Sequence, residues 1–600
     1  MRLSRTGKLL AWLGLSLLLF WGCSQGRPAR RVIVLGLDGC DPQVLESLLK
    51  SGKLPNFARL RSLGGLWNLT TTSPPQSPVA WATFLTGQDP GGHGLFDFLQ
   101  RDPQSLEPIT SMSEVRAGSY QRKLQAPPFW EALTARGIPA TLLRVPCWFP
   151  AGRDGARTLT GLGTPDMLGS YGTFAHYCEG PAREISGGTW VSVQAREDEV
   201  AASLIAPGGQ ACPLKLHLDV ANQQALVEVG EPESQPFLLK QGEWSEWIPV
   251  QFDRGQGMVR FLLRSVRPFS LYASPLNDDP TDPALPLSSP PGLASHLARL
   301  CGRYYTQGMA EDSKALSSGV LNDQQYLQQS AQVLEENRRL LRQGLSEFTG
   351  GLFFFYISHL DLQSHTFWRD PARVEEAYLR ADDLLGEVLG HMDPQTTLWV
   401  LSDHGFAPFE RVFDLNAWLA ESGYLGSQPG QPLQGADWGR TRAYAVGFNG
   451  LYLNLRGRES HGLVDPADAD RLRAELTSKL KGLRDPASGR PVIHGVYDSR
   501  TIYSSARRQQ APDLVIGYER GFRVSWESAL GQRSARVFRD NLDHWNGDHL
   551  IDAQLVPGVL LCSKPIRIQQ PALADLAPTI LRQFEIAPPP AMRGRNLLED

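Results

Sequence analysis

Cysteine is scarce in this chain, seven in 600 residues, and no two of them stand in a C-x-x-C spacing. That argues against a thiolate metal site or a dithiol redox motif. Excess charge of either sign is also lacking: 59 Lys and Arg balance 63 Asp and Glu, for a net charge of −4. A nucleic-acid partner would call for a basic surplus that is not there. Long apolar runs are missing as well. The one near the N-terminus, Leu9 to Trp21, is short of the roughly 20 residues that span a bilayer. No internal repeat is visible, which sets aside solenoids and propellers.

What is there begins with Arg2, Arg5 and Lys8 ahead of that apolar segment, the layout of a signal peptide. Residues 1–27 are therefore read as an export segment, which predicts a periplasmic or cell-envelope location. Phe20-Trp21-Gly22-Cys23-Ser24 resembles a bacterial lipoprotein cleavage site, so Cys23 is the expected lipid acceptor and the N-terminus the expected membrane contact. Ordinary cleavage and an uncleaved anchor are the alternatives. The remaining length and the 42% hydrophobic content allow two or more domains, or one large domain with insertions.

Three short apolar runs organise the rest. Val32-Ile33-Val34-Leu35-Gly36-Leu37 ends in Asp38-Gly39; Phe353-Phe354-Phe355-Tyr356-Ile357 is followed by Asp361 and His365; Leu398-Trp399-Val400-Leu401 is followed by Ser402, Asp403 and His404. Unbroken β-prone runs of this length read as strands of a mostly parallel sheet buried on both faces. Ligand-binding groups gather at the C-terminal ends of such strands. A fourth run, Leu555 to Leu561, follows Asn546-Gly547-Asp548-His549, which adds His549. Asp38, Asp361, His365, Asp403, His404 and His549 form a nitrogen and oxygen donor set suited to zinc, manganese or iron.

Between these runs, Pro42 to Leu60 has helical spacing, and Ser77-Pro78 opens a second helix that ends at Gly87. Ser77 either caps that helix or stands free at its positive end, where a phosphate would be held. Residues 185–275 alternate apolar and polar residues between Gly and Pro turns and read as a β-rich insertion. Pro275 to Pro291 reads as a linker. The domain plan is a core in three parts (28–184, 276–410 with its helices, and 502–600), interrupted by that insertion and by a smaller one or cap at 411–501.

The ordered set Gly36-Leu37-Asp38-Gly39, Ser77 with Thr86-Gly87 and His93-Gly94, Asp361-x-x-x-His365, Ser402-Asp403-His404-Gly405, Gly547-Asp548-His549 and the tail from Asp575 to Thr579 with Met592-Arg593-Gly594-Arg595 resembles the alkaline phosphatase superfamily. Within it, the type I phosphodiesterase and nucleotide pyrophosphatase branch is the nearest match. The resemblance implies a three-layer α/β fold and a metal-dependent hydrolase. It implies two divalent ions, zinc or alternatively manganese, one on Asp361, His365 and His549 and the other on Asp38, Asp403 and His404. It also implies Ser77 as a nucleophile that becomes phosphorylated. Nucleotide pyrophosphatases carry an asparagine soon after the His-Gly pair, whereas here Leu95, Phe96, Asp97 and Phe98 follow. These last three are the candidate substrate contacts, with Phe96 and Phe98 lining an apolar leaving-group pocket.

Two divalent cations against three carboxylates and a serine alkoxide leave a formally neutral shell, which suits a phosphodiester monoanion. A monoester would need a further cation, for which Arg101, Arg116 and Arg144 are the candidates near in sequence. Phosphomonoester hydrolysis, phosphoryl transfer and phosphonate cleavage remain same-fold alternatives, and a non-catalytic envelope binding protein is the alternative from another class. Sulfatase chemistry is disfavoured, because Ser77-Pro78-Val79-Ala80-Trp81 lacks the arginine of a sulfatase motif.

Overall fold

A computed structural model describes residues 30–116, 118–230, 235–253 and 255–598; the N-terminal segment with Cys23 lies outside them. The core is an eight-stranded sheet. Its strands in chain order are β1 (Arg31–Leu37), β2 (Leu66–Leu69), β3 (Ala140–Val145), β4 (Arg157–Thr160), β5 (Ser288–Ser289), β6 (Gly351–Ile357), β7 (Thr396–Leu401) and β8 (Gly558–Cys562). Across the sheet the order is β2-β8-β7-β1-β6-β3-β4-β5. The five strands from β7 to β4 are parallel neighbours. β2, β8 and β5 join antiparallel at the two edges.

The apolar runs are unbroken because both faces are covered. Ile33, Leu35, Leu37, Phe353 and Phe355 pack on one side, against the helices at Pro42–Lys50, Pro55–Gly64 and Pro371–Gly390. Val32, Val34, Leu352, Phe354 and Tyr356 pack on the other, against the helices at Ser77–Thr86 and Leu576–Gln583. Each buried Phe contributes roughly 2–3 kcal/mol by removal of its ring from water. The result is a helix-sheet-helix sandwich whose three central strands, β7, β1 and β6, end side by side.

The single helix expected over residues 42–60 is two helices, since Pro55 opens a new one. The β-rich insertion takes in the strands Phe174–Glu179 and Gly188–Val193 through Ser270–Ala273 and has its own apolar core. The expected linker at 275–291 is built into the fold instead. Asn277, Asp278 and Asp279 are buried, Asp278 accepts from the amides of Ala284 and Leu285, and Ser288–Ser289 forms the last strand of the central sheet. Proline content suggested a spacer, but buried carboxylates holding backbone amides make it a fixed strap.

The smaller insertion extends past its expected end. Strands Leu514–Tyr518 and Gly521–Val524 pair with strands Ile493–Asp498 and Ala407–Phe413, so residues from 407 to 548 form a cap with a separate core. Among the described residues no helix is long and apolar enough to cross a membrane. All six described cysteines are buried.

Candidate active site

Asp38 directly follows β1, Asp403 and His404 follow β7, and Asp361 and His365 lie on one side of the short helix His359–Phe367 that follows β6. Parallel register places these three strand ends together. Gly39 allows the close approach: its φ is +71°, and a Cβ there would meet the Asp361 backbone at 2.7 Å. His549 arrives from the cap side, after the two-residue strand Gly547–Asp548 that pairs with Ala407–Pro408.

The six side chains fall into two clusters, Asp361 with His365 and His549, and Asp38 with Asp403 and His404. The clusters adjoin, for the His404 and His549 rings stack at 3.5 Å. In each imidazole, Nδ1 faces a backbone carbonyl: Gly547 for His365 at 2.8 Å, Pro75 for His549 at 2.6 Å, and Gly405 for His404 at 3.2 Å. Donation through Nδ1 leaves each Nε2 with its lone pair turned inward. There the Nε2 atoms meet carboxylates: His365 and His549 lie 3.3 and 3.7 Å from Asp361 Oδ1, and His404 lies 3.2 Å from Asp403 Oδ2 and 3.4 Å from Asp38 Oδ1.

Asp361 Oδ1 and Asp403 Oδ2 are buried without a hydrogen-bond donor. Burial and the neighbouring Asp361 carboxylate raise Asp38 to about 7; burial raises Asp361 to about 7; burial together with Asp38 and Asp361 lifts Asp403 far above the ordinary carboxylate range. Burial holds His365 and His549 at about 4, and burial with the neighbouring His549 and His365 pushes His404 well below the ordinary imidazole value. Neutral imidazoles aimed at crowded carboxylates with orphaned oxygens are a poor hydrogen-bond network and a good cation site. The donor set fits two divalent ions, one per cluster.

Ser77 opens the helix Ser77–Thr86, with Gln76 at the N-cap position. Its Oγ does not cap the helix; it lies 3.4 Å from Asp38 Oδ1 and 3.2 Å from His404 Nε2. Asp38 is fixed in turn by Tyr356 Oη and Trp81 Nε1, which donate to Oδ2 at 2.6 and 3.0 Å. Ser402 Oγ accepts from the Cys40 amide and donates to the His404 carbonyl, tying two strand ends to each other.

A cavity of about 330 Å³ opens over the clusters, with Asp38, Ser77, Asp361, His365 and His549 in its lining. Its walls are largely apolar, and Phe98 is among them. Phe96 and Asp97 are not. Phe96 packs against Tyr503 in a separate apolar group. Asp97 accepts from Gln76 Nε2 and from the amides of Leu99, Phe448 and Asn449, which ties the cap to the start of the helix Ser77–Thr86. Burial raises it to about 6. Residues 97 and 98 form a bend ahead of the strand Leu99–Arg101, and this turn of the chain separates two side chains that a continuous strand would have put on one face.

The three arginines considered as further cations are engaged elsewhere: Arg101 with Glu459, Arg116 with Glu114, and Arg144 with the Tyr305 carbonyl. The cavity wall holds a different one, Arg523, beside Phe448, Trp526 and Trp545. These cap residues carry no motif, and nothing in their local sequence marks them.

A model of the type I phosphodiesterase / nucleotide pyrophosphatase family matches residues 32–186 and 305–538. The chain belongs to this family. As a type I phosphodiesterase relative it is a hydrolase of phosphate esters, and the break in the match coincides with the β-rich insertion. His549 lies beyond the matched residues and is brought into the site by the fold. No curated protein matches the chain. Two solved structures of phosphonoacetate hydrolase from Sinorhizobium meliloti 1021, in complex with phosphonoformate and with phosphonoacetate, are each 13% identical over 93% of this chain and 98% of the other, with a TM-score of 0.47. That likeness is too weak to bear on activity.

Proposed function

We propose that this family member is an exported phosphohydrolase that cleaves phosphodiesters through a phosphorylated Ser77, with two divalent ions, zinc or manganese, at its strand ends. The observation that carries the reading is the position of Ser77 Oγ, uncapped at a helix N-terminus and within 3.2–3.4 Å of the His404 and Asp38 ligand atoms. Asp361, His365 and His549 would hold one ion and Asp38, Asp403 and His404 the other. When bound, two such ions supply the positive charge that favours a deprotonated hydroxyl and stabilises the attacking and leaving oxygens of an in-line displacement.

The chain's own groups do the rest. Tyr356 and Trp81 hold Asp38 in place, so the carboxylate beside Ser77 is fixed before substrate arrives. Ser77 Oγ attacks phosphorus, the bond to the leaving alcohol breaks and that alcohol departs with the serine's proton, and Ser77 is left carrying the phosphoryl group with its second ester arm; water then attacks the same phosphorus, which releases the phosphomonoester and returns Ser77 to its free form. The positive end of the helix Ser77–Thr86 favours the phosphoryl oxygens throughout. Phe98 and the apolar wall exclude water and receive an ester arm.

Ser77→Ala tests this. The variant is expected to keep its fold and bound metal while losing kcat by several orders of magnitude, and wild-type protein quenched during turnover of a diester is expected to yield the phosphoryl group, with its retained ester arm, on the peptide containing Ser77. A near-normal rate in the variant would rule the covalent route out, and a folded, metal-free wild type with no esterase activity would favour a binding protein. Export and lipid attachment at Cys23 belong to the same proposal; Cys23→Ser is expected to release the protein from the membrane fraction.

A further inference from the structure

We propose that Arg523 is an anion-recognition residue of the catalytic cavity, and that the natural ester therefore carries a second negative group, a carboxylate or phosphate, on its organic arm. The proposal rests on the phosphohydrolase reading above. Arg523 lies in the cap strand Gly521–Val524 and is 1% exposed. Its guanidinium is surrounded by rings, with Trp526, Phe448 and Phe409 at 4.2, 4.8 and 5.1 Å. Nε pairs with Asp548 Oδ2 at 2.9 Å.

Asp548 is already well supplied, for it accepts from Trp545 Nε1 and from the amides of His549 and Leu550 at 2.8–2.9 Å. Arg523 is not: Nη1 and Nη2 are buried and have no acceptor. Aromatic faces offset part of the cost of burying the charge but accept no strong hydrogen bond. A guanidinium kept dry with its outward fork unused is the arrangement that receives a planar or tetrahedral anion with two oxygens.

The position argues for the substrate's arm. Asp548 immediately precedes the ligand His549, so Arg523 is held at a set distance from the clusters. Trp526, stacked on it, also lines a second cavity of about 580 Å³ that continues outward through Met309, Lys314 and Trp545. Arg523 thus stands between the reacting end and the mouth. Lys314, the other cation of the wall, already donates to the carbonyls of Tyr171 and Gly172 at 3.2 Å each. With apolar neighbours and little water, one charge-assisted pair there discriminates strongly between ester arms.

The test uses full-length, metal-loaded protein and p-nitrophenyl phosphodiesters whose second arm ends in a carboxylate, the methyl ester of that carboxylate, or a trimethylammonium group. Wild type is expected to prefer the carboxylate arm. Arg523→Gln is expected to lower kcat/KM for that substrate by about 30-fold, chiefly through KM, and for the methyl ester by less than about threefold. Arg523→Lys keeps the charge against Asp548 without the fork and is expected to fall between; if Arg523→Gln does not fold, this variant carries the comparison. Equal losses on all three substrates, or a wild type indifferent to the arm's charge, would overturn the proposal while leaving the hydrolase reading in place. A wild type inactive on every ester would overturn both.

Discussion

The floor of the cavity and its wall are built on different principles. The floor consists of residues at the ends of adjacent parallel strands, where a rigid sheet fixes Asp38, Asp403 and, through a short helix, Asp361 and His365. The wall comes largely from the cap, whose Phe448, Arg523, Trp526 and Trp545 sit on short strands and turns with a core of their own. On the floor, nearly every ligand is also held by a backbone or side-chain partner that sets its direction. On the wall, contacts are mostly apolar, and Trp526 and Leu530 remain 44% and 46% exposed. On the function proposed above, the sheet would fix the chemistry and the cap would choose the ester arm.

The largest expected effect is on the floor. Asp361→Ala or His549→Ala is expected to remove mainly one of two bound ions and to cut kcat/KM by at least about a hundredfold, since a ligand is lost outright rather than merely reoriented. Element analysis after dialysis checks it. Finding no more than one ion, unaffected by either change, would erase the division into two clusters.

A smaller effect concerns the metal-free floor. Asp38 and Asp361 titrate near 7 in the folded chain, well above an unfolded carboxylate at about 4. Between those values the folded chain keeps protons that the unfolded chain has released. These two carboxylates thus make stability fall as pH rises, while His365 and His549, held at about 4, push it the other way up to the unfolded imidazole value of about 6.5; the net fall is expected only above that point, around neutral pH, and bound cations should abolish it. Thermal melts of metal-stripped and metal-loaded protein around neutral pH measure it; a metal-stripped protein that grows more stable with rising pH there would contradict the crowding described here.

The smallest effect belongs to the wall. Phe98→Ala is expected to raise KM for an ester with an apolar arm by about tenfold or less, from lost apolar contact, with kcat and metal content unchanged. A fall in kcat equal to the rise in KM would show that wall and floor are not separable.

Much of the floor was legible in the sequence because its logic is local: an apolar run, then a carboxylate or imidazole. The resemblance then sorted six donors into two sets. The wall was not legible, because Arg523 acquires its meaning from Phe409 and Phe448, distant in sequence, as well as from nearby Trp526, and from an aspartate next to His549. The segment 96–98 shows the same limit, since sequence placed Phe96, Asp97 and Phe98 together and a bend at 97–98 leaves only Phe98 on the cavity. Pro275 to Pro291 was misjudged for a related reason. Composition reports what a segment is made of, while Asp278 and the amides it holds decide where the segment lies.

The strand β8 has a consequence for how the protein is made. It comes near the end of the chain yet lies between β2 and β7, so the sheet has a gap until almost the whole polypeptide has been synthesised. His549, a few residues ahead of β8, completes its ligand cluster in the same closing stretch. A chain halted before this point would have an open edge on β7 and an unfinished ligand set. Closure of the sheet and completion of the donor set thus depend on the same last part of the chain.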